Sequence, residues 1–347
     1  MTDTPLTLDD LGWSDSYLPE EDAQADTSLP PARISGIHRD RASVLAASGA
    51  ELLTLPPDLS AGDIAVGDWV LYDPGAMRIA RLLPRRTRLF RRAAGDASRE
   101  QLIVANVDFV FITTSCTDEF NEARLERYLS LAHSGGVPPV LLLTKADKTD
   151  DPGAYLARLH AIAPDVAAVP LNAKDRPAVT AALARWSGPG RTVAFLGMSG
   201  VGKSTLAAAL SGRDLATAEV REDDMKGRHT TTAREMHPLP GGGWLIDTPG
   251  MRELRLTDMA EGIDAAFGEI TDLAADCRFR DCTHGPEPGC AVRAAIAAGR
   301  IDASRLDRWK KLKAEDAAHS ASAAEKRRQG RSFARMVKQA KRQKRRD

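Results

Sequence analysis

A chain of 347 residues is too long for one ordinary core, so two or three domains are expected. Its 48 basic and 48 acidic residues cancel, but unevenly: 1–32 holds eight acids and no Lys or Arg, and 325–347 holds eleven Lys or Arg against two acids. Both ends therefore read as exposed, the second as seeking an anion, and no apolar run approaches the ~18 residues of a membrane-spanning helix.

The acidic start also lacks the basic and apolar regions of a signal peptide, so a cytoplasmic protein is expected. Cytosol disfavours structural disulfides, and the four cysteines need another explanation. Residues 1–32 read as an acidic disordered extension in which only Leu11, Gly12, Trp13, Tyr17 and Leu18 offer anything to dock.

From Arg33 the pattern changes to short strands separated by turns, at 33–37, 43–46, 51–55, 68–72 and 76–83. Five strands in so short a span predict a small closed barrel of the oligonucleotide-binding (OB) type over 33–95. It ends in Arg81, Arg85, Arg86, Arg88, Arg91 and Arg92. That cluster reads either as a solvated strand edge or as an RNA-facing surface, and the second basic element at the end of the chain favours RNA.

Next come runs that are apolar on both faces, at 107–113, 140–143, 167–171, 193–196 and 244–246, with amphipathic segments at 121–132 and 155–162 between them. They predict an open parallel α/β sheet over 96–258, whose ligands collect at the C-terminal strand ends. After the fourth run comes Gly197, Met198, Ser199, Gly200, Val201, Gly202, Lys203, Ser204 and Thr205, followed by an Ala/Leu-rich helix. Strand, glycine-rich loop and helix in that order form a phosphate loop: backbone N–H groups and the helix dipole cradle the phosphates, Lys203 reaches them and Ser204 binds Mg²⁺.

After the second run stands Thr144, Lys145, Ala146 and Asp147. A carboxylate there accepts both N1–H and N2–H₂ of guanine, a discrimination worth about 1–3 kcal/mol by analogy with groove readout. After the third, Asn172, Ala173 and Lys174 resemble a loop whose backbone N–H contacts guanine O6. After the fifth, Asp247 belongs to the Mg²⁺ shell and the N–H of Gly250 senses the γ-phosphate. The polar loop 227–232 offers Thr231 for the same metal shell and His229 to orient the attacking water, since Met251 replaces the glutamine that does so in Ras-like enzymes; the plainer reading of His229 is an exposed loop residue. Lys203, His229 and Thr231 are the expected catalytic residues. Base recognition before the phosphate loop is a circular permutation, which leaves strand neighbours unchanged.

Cys277, Cys282, His284 and Cys290 supply three thiolates and an imidazole around a Pro- and Gly-containing hairpin. They fit a closed structural Zn²⁺ site; buried free cysteines are the alternative. Cys116 stands apart and reads as packed. Helices at 291–299 and 304–317 complete a mostly helical zinc-binding domain over 259–324, before the basic tail 325–347.

Together these residues resemble the RsgA (YjeQ) family of circularly permuted GTPases that assist maturation of the small ribosomal subunit. The likeness covers nearly the whole chain and rests on Val66 to Val70, Ala105 to Asp108, Gly197 to Ser204, Gly227 to Thr232, Asp247 to Gly250 and the Cys277/Cys282/His284/Cys290 set. It implies a multidomain protein with an N-terminal barrel, a central permuted P-loop GTPase domain and a C-terminal zinc domain. It further implies GTP and GDP as ligands, Mg²⁺, one Zn²⁺, and the small subunit with its rRNA as partner. A monomer with no membrane partner is expected. Thr144 departs from the family, many of whose members carry Asn there. An RNA-binding factor that senses nucleotide without useful hydrolysis is a rival reading, and an ATP-dependent enzyme is a second, opposed by Asp147.

Overall fold

The computed structural model describes residues 6–18, 29–92, 100–213, 234–247 and 259–318. The chain forms two compact units, one of 1–89 with 102–253 and one of 90–101 with 254–347.

The first unit contains a barrel and an open sheet. The barrel strands are β1 (Pro31–Ile37), β2 (Arg41–Ala46), β3 (Gly49–Thr54), β4 (Trp69–Asp73) and β5 (Arg78–Leu82). Their order β1-β2-β3-β5-β4 closes on itself through the β1–β4 pairing, with β3 and β5 parallel and the other neighbours antiparallel. Alternation drives this: Ala42, Val44 and Ala46 on β2 turn inward with Ile34, Leu53 and Ile79, while the intervening residues face out. The five strands expected from the sequence are all present.

After the barrel, β6 (Arg88–Arg92) and β7 (Glu100–Ala105) pair as a two-stranded sheet, which the arginine-rich sequence did not announce. Then follow β8 (Phe109–Ser115), α1 (Glu122–Ser134), β9 (Pro139–Thr144), α2 (Pro152–Ile162), β10 (Ala168–Pro170), α3 (Arg176–Ser187), β11 (Thr192–Leu196), α4 (Lys203–Ser211), β12 (Glu235–Pro238) and β13 (Trp244–Asp247). The strand order is β10-β9-β8-β11-β13-β12, parallel except for β12. Buried on both faces, β8, β9 and β11 pack Phe111, Leu142 and Phe195 against Leu183, Leu206 and Leu210 of the helices. The chain runs outward through β8, β9 and β10 and then returns to β11 beside β8. That reversal makes the switch point at which ligands of open sheets bind.

Residues 6–18 lie within the stretch read as a disordered extension, yet they dock on this unit. Leu11 is fully buried, and Trp13 meets Trp69 edge-on with centroids 4.9 Å apart. Trp244 Nε1 donates to Asp10 O at 2.7 Å, and a methyl group on Gly12 (φ 79°) would fall 2.3 Å from Gly190 O. The residues that dock are the apolar ones singled out in the sequence. They bury aromatic surface that the acidic composition conceals.

The second unit contains α5 (Ala260–Ala266), α6 (Gly268–Ala275), α7 (Ala291–Ala297) and α8 (303–318). Its core gathers Phe267, Ile270 and Val292, with Arg305 bonded to Glu269 and stacked over Phe267 at 4.8 Å. Among the described residues no helix is long and apolar enough to cross a membrane.

Candidate functional site

The parallel strands bring four predicted segments to one edge of the sheet. Thr144 ends β9, Asn172 to Lys174 follow β10, the loop from Gly197 follows β11, and Asp247 ends β13. Because these strands run parallel, their C-terminal ends share that edge although the segments lie up to a hundred residues apart.

The loop from Gly197 to Gly202 has the backbone that its glycines allow. Gly197, Gly200 and Gly202 have φ of 148°, 81° and 96°, conformations costly for other residues. Gly197 also sits so close to β8 that a methyl group there would lie 2.4 Å from Thr113 O. Lys203, Ser204 and Thr205 form the first turn of α4, where N–H groups have no intrahelical partner. Ser204 and Thr205 are exposed, and Lys203 Nζ donates back to Met198 O.

The base-loop residues converge on the end of this loop. A methyl group on Gly202 would lie 3.7 Å from Thr144 Cγ2 and 3.8 Å from Ala173 Cβ. Asp147, Asn172 and Lys174 are exposed at the same edge, and Ala146 N donates to Leu171 O at 3.3 Å. Asn172 Oδ1 accepts from Lys174 N at 3.0 Å, which tightens its loop. Thr144 is fully buried and its hydroxyl bonds Val201 O at 2.6 Å. Sequence reading also missed Glu119, which lies 3.6 Å from Lys145 Nζ and has no motif spacing to announce it. Cys116 is packed, as expected, at 3% exposure.

His229, Thr231, Gly250 and Met251 lie outside the described residues, as do the tail 325–347 and the side chains of Arg91 and Arg92. Of the remaining arginines read as RNA-facing, Arg85 pairs with buried Asp68 at 2.7 Å, and Arg86 spans the ring of Tyr17 at 4.7 Å. Both are engaged within the protein.

A second constellation is built by the segment around α7. Ligand atoms of Cys277, Cys282, His284 and Cys290 all lie within 4.8 Å of one another. His284 Nδ1 is 3.6 Å from Cys277 Sγ and 3.5 Å from Cys290 Sγ, and the two sulfurs are 3.9 Å apart. A tetrahedral Zn²⁺ with bonds of about 2.3 Å to sulfur and about 2.0 Å to nitrogen requires edges of about 3.8 Å and about 3.6 Å. These three distances fit this ion, and the Cys282 sulfur lies within 4.8 Å of the other ligand atoms. Burial and the Lys310 ammonium hold the His284 imidazole below its ordinary pKa, in the neutral form that ligates. Burial works against the Cys277 thiolate, but backbone N–H groups of Ala291 and Val292 bring that thiol below its usual range. Trp309 packs on the imidazole with centroids 5.5 Å apart, and Lys310 Nζ donates to His284 O at 3.0 Å. These two residues on α8 were not foreseen, because they lie 25 or more positions beyond the histidine.

Comparison with known proteins agrees with this architecture. A family model described as RsgA GTPase matches residues 82–257. The chain is 51% identical over 320 residues to "Small ribosomal subunit biogenesis GTPase RsgA" of Mesorhizobium japonicum, covering 91% of this chain and 92% of that one. It is 48% identical over 252 residues to a protein of the same name from Methanosarcina acetivorans, covering 71% and 68%. Among solved structures it is similar to YjeQ from Thermotoga maritima, with a TM-score of 0.60 at 24% identity over 82% of this chain and 96% of that one. It is similar also to YloQ, described as a circularly permuted GTPase, with a TM-score of 0.59 at 19% identity over 84% and 96%. At such identities the two structures speak for the fold.

Proposed function

This chain belongs to the RsgA GTPase family, and on that footing we propose that it is a cytoplasmic, monomeric GTPase that binds the small ribosomal subunit through rRNA. In this reading it assists late maturation of that subunit and hydrolyses GTP to GDP and phosphate. The observation that carries the reading is the meeting of Thr144 and Ala173 with Gly202, which brings the base loops and the phosphate loop within reach of one nucleotide. A guanine is recognised by Asp147 and by the loop Asn172, Ala173 and Lys174. The segment Gly197 to Thr205 surrounds the phosphates, and Lys203 moves from Met198 O to phosphate oxygens.

Ser204, Thr231 and Asp247 would hold Mg²⁺, which supplies neutralisation of the charge that develops on the transferring phosphoryl group. Gly250 reports the γ-phosphate to the switch region, and His229 orients water once the partner orders its loop. The OB-type barrel, the permuted GTPase domain and the zinc domain divide the work of docking, switching and rigid support, over 33–95, 96–258 and 259–324. Cys277, Cys282, His284 and Cys290 would hold one structural Zn²⁺, with His284 ligating through Nδ1. The basic tail 325–347 adds phosphate contacts.

The test is GTP turnover with and without purified small subunits. Slow hydrolysis alone and stimulation by orders of magnitude with subunits are expected. Lys203→Ala and Ser204→Ala should lose turnover with unchanged far-UV dichroism, and His229→Ala should lose only the stimulation. Turnover that ignores the subunit would overturn the proposed partner, and normal turnover in Lys203→Ala would overturn the phosphate-loop roles.

A further inference from the structure

Among the described residues, Met77, Asn106, Lys145 and His284 have a positive φ without being glycine, and His284, at 56°, is the one read as a metal ligand. The left-handed state is unfavourable for a residue with a Cβ and persists only where neighbouring groups hold it. At His284 two charged side chains do so.

Glu287 acts from within the hairpin. One of its carboxylate oxygens accepts from Thr283 N at 3.1 Å and from the Thr283 hydroxyl, and the other accepts from Gly285 N at 2.6 Å. The residues on either side of the histidine are thus tied to one group. Pro286 and Pro288 flank Glu287, and their rings stiffen the backbone that presents it. Both carboxylate oxygens are taken by N–H and O–H donors, so Glu287 is a positioning residue and not a fifth ligand.

Lys310 acts from outside the hairpin, on α8. Its Nζ donates to His284 O at 3.0 Å, while Trp309 lies against the imidazole with centroids 5.5 Å apart. The N–H groups of 283 and 285 and the carbonyl of 284 are therefore all engaged, and the buried ring is left with Nδ1 at 3.6 Å from Cys277 Sγ and 3.5 Å from Cys290 Sγ.

We infer that Glu287 and Lys310 position His284 for the metal and set how tightly the site of Cys277, Cys282, His284 and Cys290 holds zinc. The inference rests on the zinc reading above. A ligand already in its binding posture loses less freedom when the ion arrives, and outer partners of this kind are worth about 10–100-fold in metal affinity.

The experiment is competition for Zn²⁺ between the full-length protein and a chromogenic chelator, with visible spectra of the Co²⁺-loaded protein beside it. Glu287→Ala is expected to weaken zinc binding by about 10–100-fold. Glu287→Gln keeps one carbonyl oxygen for two backbone donors and should fall between. Lys310→Met keeps the length of the side chain but not the donor, and should lose about tenfold, the size of one hydrogen bond to a charged group. In the Co²⁺ protein, Glu287→Ala should shift the visible bands as a mobile imidazole yields its place to water. A role confined to stability would leave those bands unmoved.

Wild-type zinc affinity and an unshifted Co²⁺ spectrum in Glu287→Ala would overturn the positioning role. Should that variant fail to fold by far-UV dichroism, Glu287→Gln decides by the same two readings. Wild-type affinity in Lys310→Met would overturn the part assigned to α8. Failure of the wild-type protein to take zinc from the chelator would overturn the metal reading itself, and that arm needs no variant.

Discussion

Arg33 Nη1 donates to Leu11 O at 2.6 Å, and both residues are buried almost completely. Other guanidinium nitrogens reach Asn106 O at 2.7 Å and Gly67 O at 3.4 Å. One cation thus joins the docked N-terminal segment, the barrel and the entry to the parallel sheet. Burial lowers its pKa while Tyr17, Asp108 and Asp68 raise it, and an arginine starts so far above neutrality that it remains charged. Arg33→Ala leaves buried carbonyls without their donor and is expected to destabilise the chain by about 2–3 kcal/mol. Arg33→Lys keeps the charge but not the planar fork and should fall between. Urea midpoints of the three proteins provide the check. A wild-type midpoint in Arg33→Ala would show that the segment is held by its aromatic contacts alone.

The glycines of the phosphate loop should differ in their tolerance. A methyl group on Gly197 would lie 2.4 Å from backbone at Thr113, whereas one on Gly200 would meet nothing within 4 Å. Gly200→Ala is therefore expected to cost about 1 kcal/mol from its positive φ alone. Gly197→Ala should cost clearly more and lose nucleotide binding, because either β8 or the loop must shift. Thermal unfolding and nucleotide affinity of the pair decide it, and equal effects would contradict the close approach to β8.

Zinc should co-purify at about one atom per chain, as a closed four-ligand site requires. Cys282→Ser is expected to release it and to loosen the helices around α7, whose first residue follows the ligand Cys290. Elemental analysis of the native protein, with hydrogen exchange of 259–318 in the variant, is the measurement. Native protein without zinc would leave the sulfurs as packed thiols.

His133, in the last turn of α1, is held below its ordinary pKa of 6.5 by burial. The unfolded chain therefore takes up its proton at a higher pH than the folded chain does. Stability from this residue is complete above pH 6.5 and declines as pH falls through the lower folded value. Replacing it by glutamine should flatten the loss of stability between pH 7 and 5, read as the difference in urea midpoints. Parallel profiles for the two proteins would show that His133 titrates normally.

Much of this protein is determined by local sequence. The alternation in Ala42, Val44 and Ala46 defines a half-buried strand, the run Thr192 to Leu196 a fully buried one, and Gly197 to Lys203 the turn between strand and helix. The cysteines and His284 lie close enough in sequence for their chemistry to be legible before folding. What the tertiary structure decided involves partners with no sequence period. Asp10 and Trp244 meet across 234 positions and turn part of an acidic tail into a docked segment. Thr144 meets Val201 across 57 positions and joins the end of β9 to the phosphate loop. Helix α3 carries Pro177 in its first turn, where no helical N–H bond is lost. Strand β12 has only four residues, and its place between β13 and β1 comes from antiparallel pairing with both. A period reports which face of an element is apolar; which buried hydroxyl, carbonyl or cation finds another is settled only when distant segments must satisfy one another's hydrogen bonds in the absence of water.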